Sequence, residues 1–540
     1  MKRREFVQGA AALTASAASG ISHAQSGPAP VDKRSIITST AQFDPARPEI
    51  ARLVSQACKE IGWELEANPI DYNQGIQKVI MQHDYEVFLV ALAGSSIRID
   101  PNFFIHGVHS SEQFKKGGFN WMGYKSEKTD ALATAQATTM NIDDRKRAVF
   151  EAQEVIFADQ PGTVVAYPQI TMAHRSDKVK GLVPMLGEGI GSFWSDVNME
   201  VSGDGYSRTG MNVDIKHLNP IAANDVLEFK ELSKLYDTLF RIAPDGKPVP
   251  WAASGMKVVD NTTLEITIKS GMKWHDGKPF TAEDVKFSFE YQTKWKAPFF
   301  LSSLKAVSSI EVTGANTVRI KLDKPSAPFV SNVLAAMYII PKHIWQDIPE
   351  KVNIDDPLKF QNDKPVGSGP FKFDHWRRGS EVKMSANKEH FNPPKCAGII
   401  RVVYGSHDAI AAAIERGECD RAGYILSPAL VDRLKKVKDV VARGYPSHGV
   451  YHLSYNNTIK PFDNPVFRNA LNLLIPRKLI SELVLLGYAD PGGSIISPAN
   501  AFWHNPAVKA PAENVKAARD MLAKGGYSWN AQGKLLYPRA

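Results

Sequence analysis

Hydrophobic positions in this chain alternate between helical spacing and strand spacing over most of its length. From residue 48 to residue 61 the apolar side chains keep helical spacing, Gly62 ends the run, and residues 63–66 alternate as a strand does. A helix that leads into a strand is the repeating unit of α/β proteins. The pattern therefore predicts an α/β fold.

A second helical stretch runs from residue 465 to residue 487 and is interrupted at Pro476. Its apolar residues recur at helical spacing, which predicts a buried stripe. We expect Leu479, Leu483 and Leu486 to belong to the core.

Turn-forming glycine, proline and aspartate residues separate short alternating runs between residues 245 and 364. Residues 263–268 and 318–322 are the clearest of these runs, and both have strand spacing. This part of the chain predicts a β-rich subdomain within the α/β protein.

Composition and charge narrow the classes of protein. The chain has 540 residues, of which 43% are hydrophobic and 23% charged, which is typical of globular proteins and favours two or three domains. The net charge of +8 is scattered, without a basic stripe interleaved with aromatic residues. Nucleic acid is therefore not an expected partner.

The first residues have the features of an export signal. Arg3 and Arg4 precede an apolar run from residue 9 to residue 20 that is too short to cross a bilayer. Small residues before Gln25 suit cleavage near Ala24, and no cysteine for a lipid anchor lies nearby. We expect export by the twin-arginine translocase to the periplasm. The alternative is a frayed cytoplasmic helix.

The three cysteines do not suffice for a disulfide scaffold. Cys396 and Cys419 lie in neighbouring predicted strands and would meet an oxidising compartment after export. A bridge between them is one expectation and two free thiols are the other. Cys58 lies on a predicted helix and is expected in the core.

Motifs of catalysis and of metal binding are weak. The glycine cluster at residues 187–191 lacks the strand, the helix and the downstream acid of a dinucleotide site, so it predicts a loop. No complete nucleophile elbow surrounds Ser368. His448 and His452 are four residues apart, but residues 450–455 alternate as a strand, which argues against a metal site. We expect neither enzyme activity nor a metal or cofactor.

A set of short segments carries a more specific signal. Residues 273–285 read as a strand, an Asp-Gly turn and a helix that Thr281 would cap. Further segments of the set are 366–371, where glycines permit a tight crossing, 417–420, 455–457 and 461–464 with Arg468. Together these segments resemble the family 5 extracellular solute-binding proteins, the peptide-binding receptors of ABC importers.

The remaining similar segments occur in an unusual order. Residues 120–125 and 164–167, with a helix from 145 to 157 between them, are similar to the usual end of such a chain. Residues 217–220 and 236–239 are similar to its usual start. The order predicts a circularly permuted receptor.

In a permuted chain the old end continues into the old start, here through the turn-rich residues 201–207. We expect residues 534–537 to pair with residues 35–39, so that the two ends lie side by side on one lobe. A cloning or gene-fusion artefact is the alternative.

The resemblance implies a periplasmic binding protein type II-like fold, in which two lobes close over a ligand at a hinge, plus an extra β-rich subdomain. The implied divisions are a signal at 1–24, one lobe from 33–165 and 464–540, a second from 166–240 and 366–463, and the subdomain at 241–365. It also implies a monomer that delivers a small-molecule or peptide ligand to an inner-membrane ABC permease.

The ligand site departs from the family at residues 90–101. Peptide-binding members place an aspartate there that pairs with the ammonium group of the ligand, and the aligned residue is Ser95. Asp100 is expected to be a turn acid rather than a substitute. Arg98 could contact an anionic or hydroxyl-rich ligand, and the alternative is a solvated surface arginine.

Other residues that the resemblance puts near the ligand are mainly aromatic, and each could instead be a core residue. The full set of expected ligand-binding residues is Tyr72, Ser95, Ser96, Arg98, Phe299, Tyr424, His448 and Tyr451. Without the acid, we expect a peptide-like or other polar organic solute that lacks an essential free ammonium group.

Three other functions stay open at this point. One is an exported binding module for sensing or chaperoning, and another is a metal or haem carrier of the same fold. The third, an exported hydrolase, would require a nucleophile with a nearby base, which the sequence does not offer.

Overall fold

The structure is a computed structural model that describes residues 28–539. The export signal and its cleavage near Ala24 lie outside the described residues. Within the described part of the chain, no helix combines the length and the apolar character needed to cross a membrane.

A six-stranded sheet forms one half of the α/β architecture. Its strands, in spatial order, are Leu65–Ile70, Arg34–Ser39, Val87–Leu92, Val450–Tyr455, Gly162–Pro168 and Ala489–Pro491. The first three are parallel, whereas Val450–Tyr455 runs antiparallel to both of its neighbours. The central strand Val450–Tyr455 is buried along its whole length because helices and loops cover both faces of the sheet.

A seven-stranded sheet forms the other half. Its strands, in spatial order, are Phe371–Arg377, Glu381–Ala386, Gly398–Val403, Tyr206–Met211, Arg421–Ala422, Ile170–Arg175 and Val440–Tyr445. The predicted boundary at residue 463 is wrong in one respect. Strand Val450–Tyr455 pairs with Val87–Leu92 and so belongs to the six-stranded sheet, because the chain has already crossed between the sheets.

The chain passes directly from one of these sheets to the other at two places. Strand Gly162–Pro168 lies in the six-stranded sheet, and Ile170–Arg175 lies in the seven-stranded sheet. The second crossing joins Val440–Tyr445 to Val450–Tyr455 in the opposite direction. We call residues 168–170 and 445–450 the two crossovers.

A four-stranded antiparallel sheet confirms the predicted β-rich region. Its order is Ala253–Asp260, Thr263–Ile268, Thr317–Leu322 and Val307–Gly314. The helix Ala282–Lys294 begins as predicted after Thr281, whose backbone N–H and hydroxyl both donate to the Asp284 carboxylate at 2.8 Å. The Asp284 carboxylate thereby satisfies the backbone N–H of Thr281 at the start of the helix.

The α-helices cover the sheets, and many begin at a capping side chain. Asn141 caps the helix Ile142–Asp159 through the N–H groups of Asp143 and Asp144. The longer helices are Ala46–Lys59, Glu127–Thr138, Ile142–Asp159, Val226–Leu235, Ala282–Lys294, His407–Arg416, Pro465–Leu474 and Val515–Lys524. Shorter ones are Tyr72–Ile76, Phe193–Asn198, Leu301–Leu304, Lys342–Trp345, Ile348–Lys351, Pro428–Leu434 and Arg477–Leu479.

Short strand pairs and single helical turns complete the chain. The pairs are Phe240–Ile242 with Pro248–Pro250, Val179–Lys180 with Glu200–Val201, and Ser528–Trp529 with Leu535–Leu536. The turns are Gln77–Met81, Ser96–Arg98, Phe103–Gly107, Ser111–Gln113, Val330–Leu334, Pro357–Lys359 and Ile480–Val484.

The predicted leucine stripe after residue 465 is only partly buried. Ala470 and Leu474 are buried as expected, but Leu479, Leu483 and Leu486 are 40%, 66% and 44% exposed. The expectation that these three belong to the core is wrong. Pro476 ends the regular helix, and the following turns present a different face from the one that the spacing implied.

Of the two alternatives for Cys396 and Cys419, the structure has the free thiols, and both are buried. Strand Tyr206–Met211 lies between the strands that follow each cysteine. Two interstrand spacings amount to about 9–10 Å, which exceeds the reach of a disulfide.

The two ends of the described chain lie side by side, as expected, but through a different pairing. Val31 N donates to Leu535 O and Tyr537 N donates to Ala29 O, both at 2.9 Å. Strand Arg34–Ser39 was the expected partner, and it pairs instead with Leu65–Ile70 and Val87–Leu92. The partner shifts because Arg34–Ser39 already has a neighbour on both sides.

Candidate functional site

A cleft with about 800 Å³ of empty space, part of it open to solvent, lies between the end of strand Val87–Leu92 of the six-stranded sheet and elements such as helix Val226–Leu235, which packs on the seven-stranded sheet. Ser95 and Ser96, which follow strand Val87–Leu92, line one side. The other walls come from residues 185–196, from helix Val226–Leu235, from strand Phe240–Ile242 and from residues 331–338. Its aromatic lining residues are Phe193, Trp194, Phe229 and Tyr338.

Ser95 is held at the second crossover by His448. The Nε2 atom of His448 lies 3.2 Å from the backbone N and 3.0 Å from the carbonyl O of Ser95. Burial, with a smaller contribution from the charge of Arg98, lowers the pKa of His448 to about 4, so the ring is neutral at pH 7. The Ser95 hydroxyl is buried and has no hydrogen-bond partner among the described residues.

Glycine is required where the second crossover packs closely against the neighbouring loops. A Cβ on Gly187 would lie 2.5 Å from His448 Cε1, and Gly187 has a φ of +76°. A Cβ on Gly94 would lie 2.8 Å from the backbone N of Gly449. Only glycine fits at these contacts without displacing the crossover.

Glu188 bridges two walls of the cleft. Its Oε1 accepts a hydrogen bond of 3.3 Å from Ser96 N, and its Oε2 lies 4.0 Å from Lys230 Nζ. Lys230 also donates to Gly191 O at 2.8 Å, and burial lowers the pKa of its ammonium group. The predicted loop at residues 187–191 is confirmed, and it carries a charged side chain into the cleft.

Arg98 ends the helical turn Ser96–Arg98, two residues after Ser96, which lines the cleft. Arg98 itself is next to the lining residues and not one of them. Its guanidinium lies 4.9 Å from the ring centre of Phe103. Burial lowers its pKa, and nearby Tyr72 and Tyr424 partly offset this effect. The side chain is half-buried rather than a fully solvated surface group.

Asp100 is not available to a ligand. The guanidinium of Arg145 binds both of its carboxylate oxygens, at 2.5 and 3.0 Å, and both side chains are buried. Asp100 also accepts from the backbone N of Asn102 at 2.9 Å, as a turn acid does. The preference for a turn acid over a substitute anchor is therefore confirmed.

The remaining expected residues divide between the site and its surroundings. Tyr424 lines a recess of about 360 Å³ that shares Ser95, Glu188 and Lys230 with the cleft. Tyr72 stacks on the ring of Phe43 at 4.1 Å, outside the lining residues.

Phe299 and Tyr451 do not line the cleft, so their expected ligand contacts are not supported by the geometry. Phe299 packs at 4.8 Å on Phe229, behind the wall that Phe229 forms. Tyr451 is a core residue of the six-stranded sheet, and its hydroxyl donates to Asp44 at 3.1 Å. Its strand position directs it into the lobe, which the sequence pattern alone did not reveal.

Several cleft residues were not predicted, among them Glu188, Trp194, Lys230 and Arg241. The Cζ atom of Arg241 lies 3.6 Å from the ring centre of Phe193, and burial lowers the pKa of Arg241 to about 10. The glycine cluster around Glu188 was the one available signal, because repeated glycines permit close approach of a loop.

A buried ionic cluster lies behind the cleft. Asp196 contacts Arg421 and lies 3.5 Å from Lys234, which is also 3.4 Å from Glu231. Arg401 binds Glu231 at 2.9 Å. Each cation in this cluster therefore has a carboxylate partner. Within residues 28–539 no cluster of potential metal ligands exists.

Sequence comparison identifies the family. A model of the bacterial extracellular solute-binding proteins, family 5 (middle region), matches residues 247–539, just over half of the chain. The oligopeptide-binding protein OppA of Bacillus subtilis is 26% identical over 61% of this chain and 64% of its own length. The glutathione-binding protein GsiB of Salmonella typhimurium is 30% identical over 57% of this chain and 59% of its own.

Solved structures agree on the fold. The substrate-binding protein CtaP of Listeria monocytogenes matches with a TM-score of 0.51 and 25% identity over 60% of this chain and 66% of its own. An oligopeptide-binding protein of Thermotoga maritima matches with a TM-score of 0.50 and 22% identity over 61% of this chain and 64% of its own. The fold is thus periplasmic binding protein type II-like.

The chain spans only 59% to 64% of the length of these two curated relatives. The family comprises solute-binding proteins rather than enzymes, in agreement with the expectation from the sequence. The chain belongs to the family 5 bacterial extracellular solute-binding proteins.

Proposed function

We propose that this protein is the receptor of an ABC importer and captures a peptide-like or other polar organic solute in the cleft. The observation that carries the proposal is the position of the cleft. Residues that follow strands of the six-stranded sheet face residues of the other half across it, next to a crossover. A ligand there touches both halves at once.

The two crossovers supply the hinge in this proposal. A ligand shifts the populations of open and closed states only through its different affinity for them. Contacts with Ser95 on one side and with Lys230 or Trp194 on the other exist together only when the halves are close. Closure then presents a joint surface to a membrane permease.

The circular permutation belongs to the same proposal. The family match leaves residues 28–246 outside, although they contribute strands to both main sheets. A sequence alignment follows the segments in a single order. A permuted chain would therefore align with an unpermuted relative over only part of its length. The hydrogen bonds between residues 29–31 and 535–537 hold the two present ends together, which supports a cut at a place where an unpermuted chain would be continuous. Export by the twin-arginine route to the periplasm and a monomeric state are further parts of the proposal.

Native mass spectrometry of the protein purified from its own cells tests the receptor function. We expect a bound solute that is released on denaturation, and uptake of that solute should fail in a deletion strain. Retained uptake together with a bound solute would favour a sensing or chaperoning module. A coloured or metal-containing protein would favour a haem or metal carrier.

The variant Trp194→Ala provides an independent test, because Trp194 lines the cleft and donates to Ile242 O at 2.8 Å. We expect loss of the bound mass with the fold retained. The matched control is Trp529→Ala, since Trp529 also donates to a backbone carbonyl at 2.8 Å but lies far along the chain near the described end. Equal solute content in both variants would contradict the assignment of the cleft.

A further inference from the structure

Arg98 differs from every other arginine that is not exposed within residues 28–539. Each of the others pairs with a carboxylate or donates to a backbone carbonyl, as Arg145 does to Asp100 and Arg477 does to Gly492 O at 2.7 Å. Arg98 has neither kind of partner; its guanidinium lies over the ring of Phe103, 4.9 Å from the ring centre, and Tyr72 and Tyr424 are near enough to affect its pKa. A half-buried cation loses hydration without compensation in such a place, and an anion restores the balance.

The acids near the cleft are already engaged. Glu188 accepts from Ser96 N and faces Lys230, Asp196 contacts Arg421 and Lys234, and Asp100 binds Arg145. These carboxylates are paired, so none of them offers a free acceptor for a ligand ammonium group. The charges around the cleft therefore favour an anion and disfavour a cation.

Two further features describe the rest of the solute. The unpartnered Ser95 hydroxyl is a hydrogen-bond donor three residues before Arg98 in the chain. The aromatic walls formed by Trp194, Phe229 and Tyr338 suit an apolar or planar body. A solute with a charged end and an apolar body could therefore place its charge near Arg98 and its apolar part against the aromatic walls.

We propose that the solute of this cleft is an organic acid without a free ammonium group, whose carboxylate pairs with Arg98 while its apolar part packs on the aromatic walls. Amino-terminally blocked peptides and acyl or aryl carboxylates belong to this class. The inference deepens the proposed receptor function and depends on it.

Calorimetric titration with three related tripeptides tests the class: trialanine, N-acetyl-trialanine and trialanine amide. We expect the acetylated peptide to bind at least as tightly as trialanine. The amide should bind on the order of tenfold or more weakly, because it loses a charge-assisted contact. Equal binding of acid and amide, or a requirement for the free amine, would overturn the proposal.

The variant Arg98→Gln should remove the preference for the acid over the amide. Arg443→Gln is the matched control, because Arg443 also lies over an aromatic ring, that of Tyr445 at 4.7 Å, but on the exposed side of another strand. The control should keep the full preference. An unchanged preference in Arg98→Gln would contradict the role of Arg98.

If none of the three peptides binds, the chemical groups of the solute released from native protein test the proposed ligand class. A released solute with an acidic group and no amine supports the inference. An amine without an acidic group overturns the charge class but leaves the receptor function intact. Absence of any binding or released solute counts against both proposals.

Discussion

The ionic cluster behind the cleft and the loop beside it use the same residue type in opposite ways. In the cluster, Arg421 and Arg401 are buried against Asp196 and Glu231. In the loop, Arg98 lies over the ring of Phe103 and has no carboxylate partner among the described residues. Asp196 of the cluster and Ser96 of the loop both line the cleft. In the cluster every arginine has a carboxylate partner, whereas in the loop Arg98 has none within residues 28–539.

The difference separates a structural arginine from a candidate ligand contact. A buried ion pair adds little net stability but is expensive to break, because one charge remains without a partner. A half-buried cation without a carboxylate partner contributes little to the free energy of unfolding. It is the charge that would be stabilised most by an anionic ligand. Substitutions in the two regions should therefore affect different measurements.

The largest effect is expected for Arg421→Met. Removal of the guanidinium leaves Asp196 with Lys234 as its remaining cation, at 3.5 Å. We expect a loss of about 3–5 kcal/mol in the free energy of unfolding, measured by urea denaturation. Arg443→Gln, at an exposed position, should change it by less than about 0.5 kcal/mol. A small loss for Arg421→Met would show that the cluster is not electrostatically coupled.

Gly187→Ala should lower the free energy of unfolding by about 3 kcal/mol, because the strain of a left-handed backbone adds to a clash with the His448 ring. Gly203→Ala is the matched control. Gly203 has a φ of +73°, but nothing lies within 4 Å of its added Cβ, so only the strain of about 1–2 kcal/mol remains. Equal losses in the two variants, measured by thermal and urea unfolding, would argue against a tight contact at the crossover.

Acid should destabilise the crossover through His448. Its pKa is about 4 in the folded protein and about 6.5 in the unfolded chain, so the unfolded state binds the proton first. The stability contributed by the neutral His448 is therefore fully present above pH 6.5 and is lost as the pH falls toward 4. Protonation of His448 alone should lower the free energy of unfolding by about 2 kcal/mol between pH 7 and pH 5.

The variant His448→Gln isolates this contribution from those of other buried histidines such as His109 and His452. Urea unfolding of both proteins at pH 7 and pH 5 should give a smaller pH effect in the variant. The same pH dependence in both proteins would contradict a buried neutral His448.

The smallest stability effect is expected for Arg98→Gln. No ion pair or carbonyl contact of Arg98 is lost among the described residues, so the free energy of unfolding should change by less than about 0.5 kcal/mol. Urea unfolding without added solute measures this directly. A loss as large as that of Arg421→Met would remove the distinction between the two regions.

Local elements follow closely from the sequence. Residues 263–268 form a strand over the expected positions, and Thr281 starts the helix Ala282–Lys294 as expected. Spacing and capping are properties of a few adjacent residues, so they can be seen without a tertiary structure. The segment that resembles the family at residues 366–371 behaves likewise, since a Cβ on Gly367 would lie 1.8 Å from Leu235 O.

Predictions that required knowledge of distant neighbours were less successful. The leucines after Pro476 keep helical spacing but have no partner surface, so Leu483 is exposed. Cys396 and Cys419 precede two strands that a third strand separates. The resemblance put Tyr451 near the ligand, but its strand is central in the sheet and its side chain is buried.

The alternation of helices and strands, the cap at Thr281 and the family could all be predicted from the sequence, because they depend on short spacings and motifs. Which charges are paired depends on the tertiary structure. Asp100 meets Arg145 from 45 positions away, whereas Arg98, two residues before Asp100, receives no carboxylate. A buried charge finds its partner through the fold, since residues distant along the chain are brought into contact only by packing.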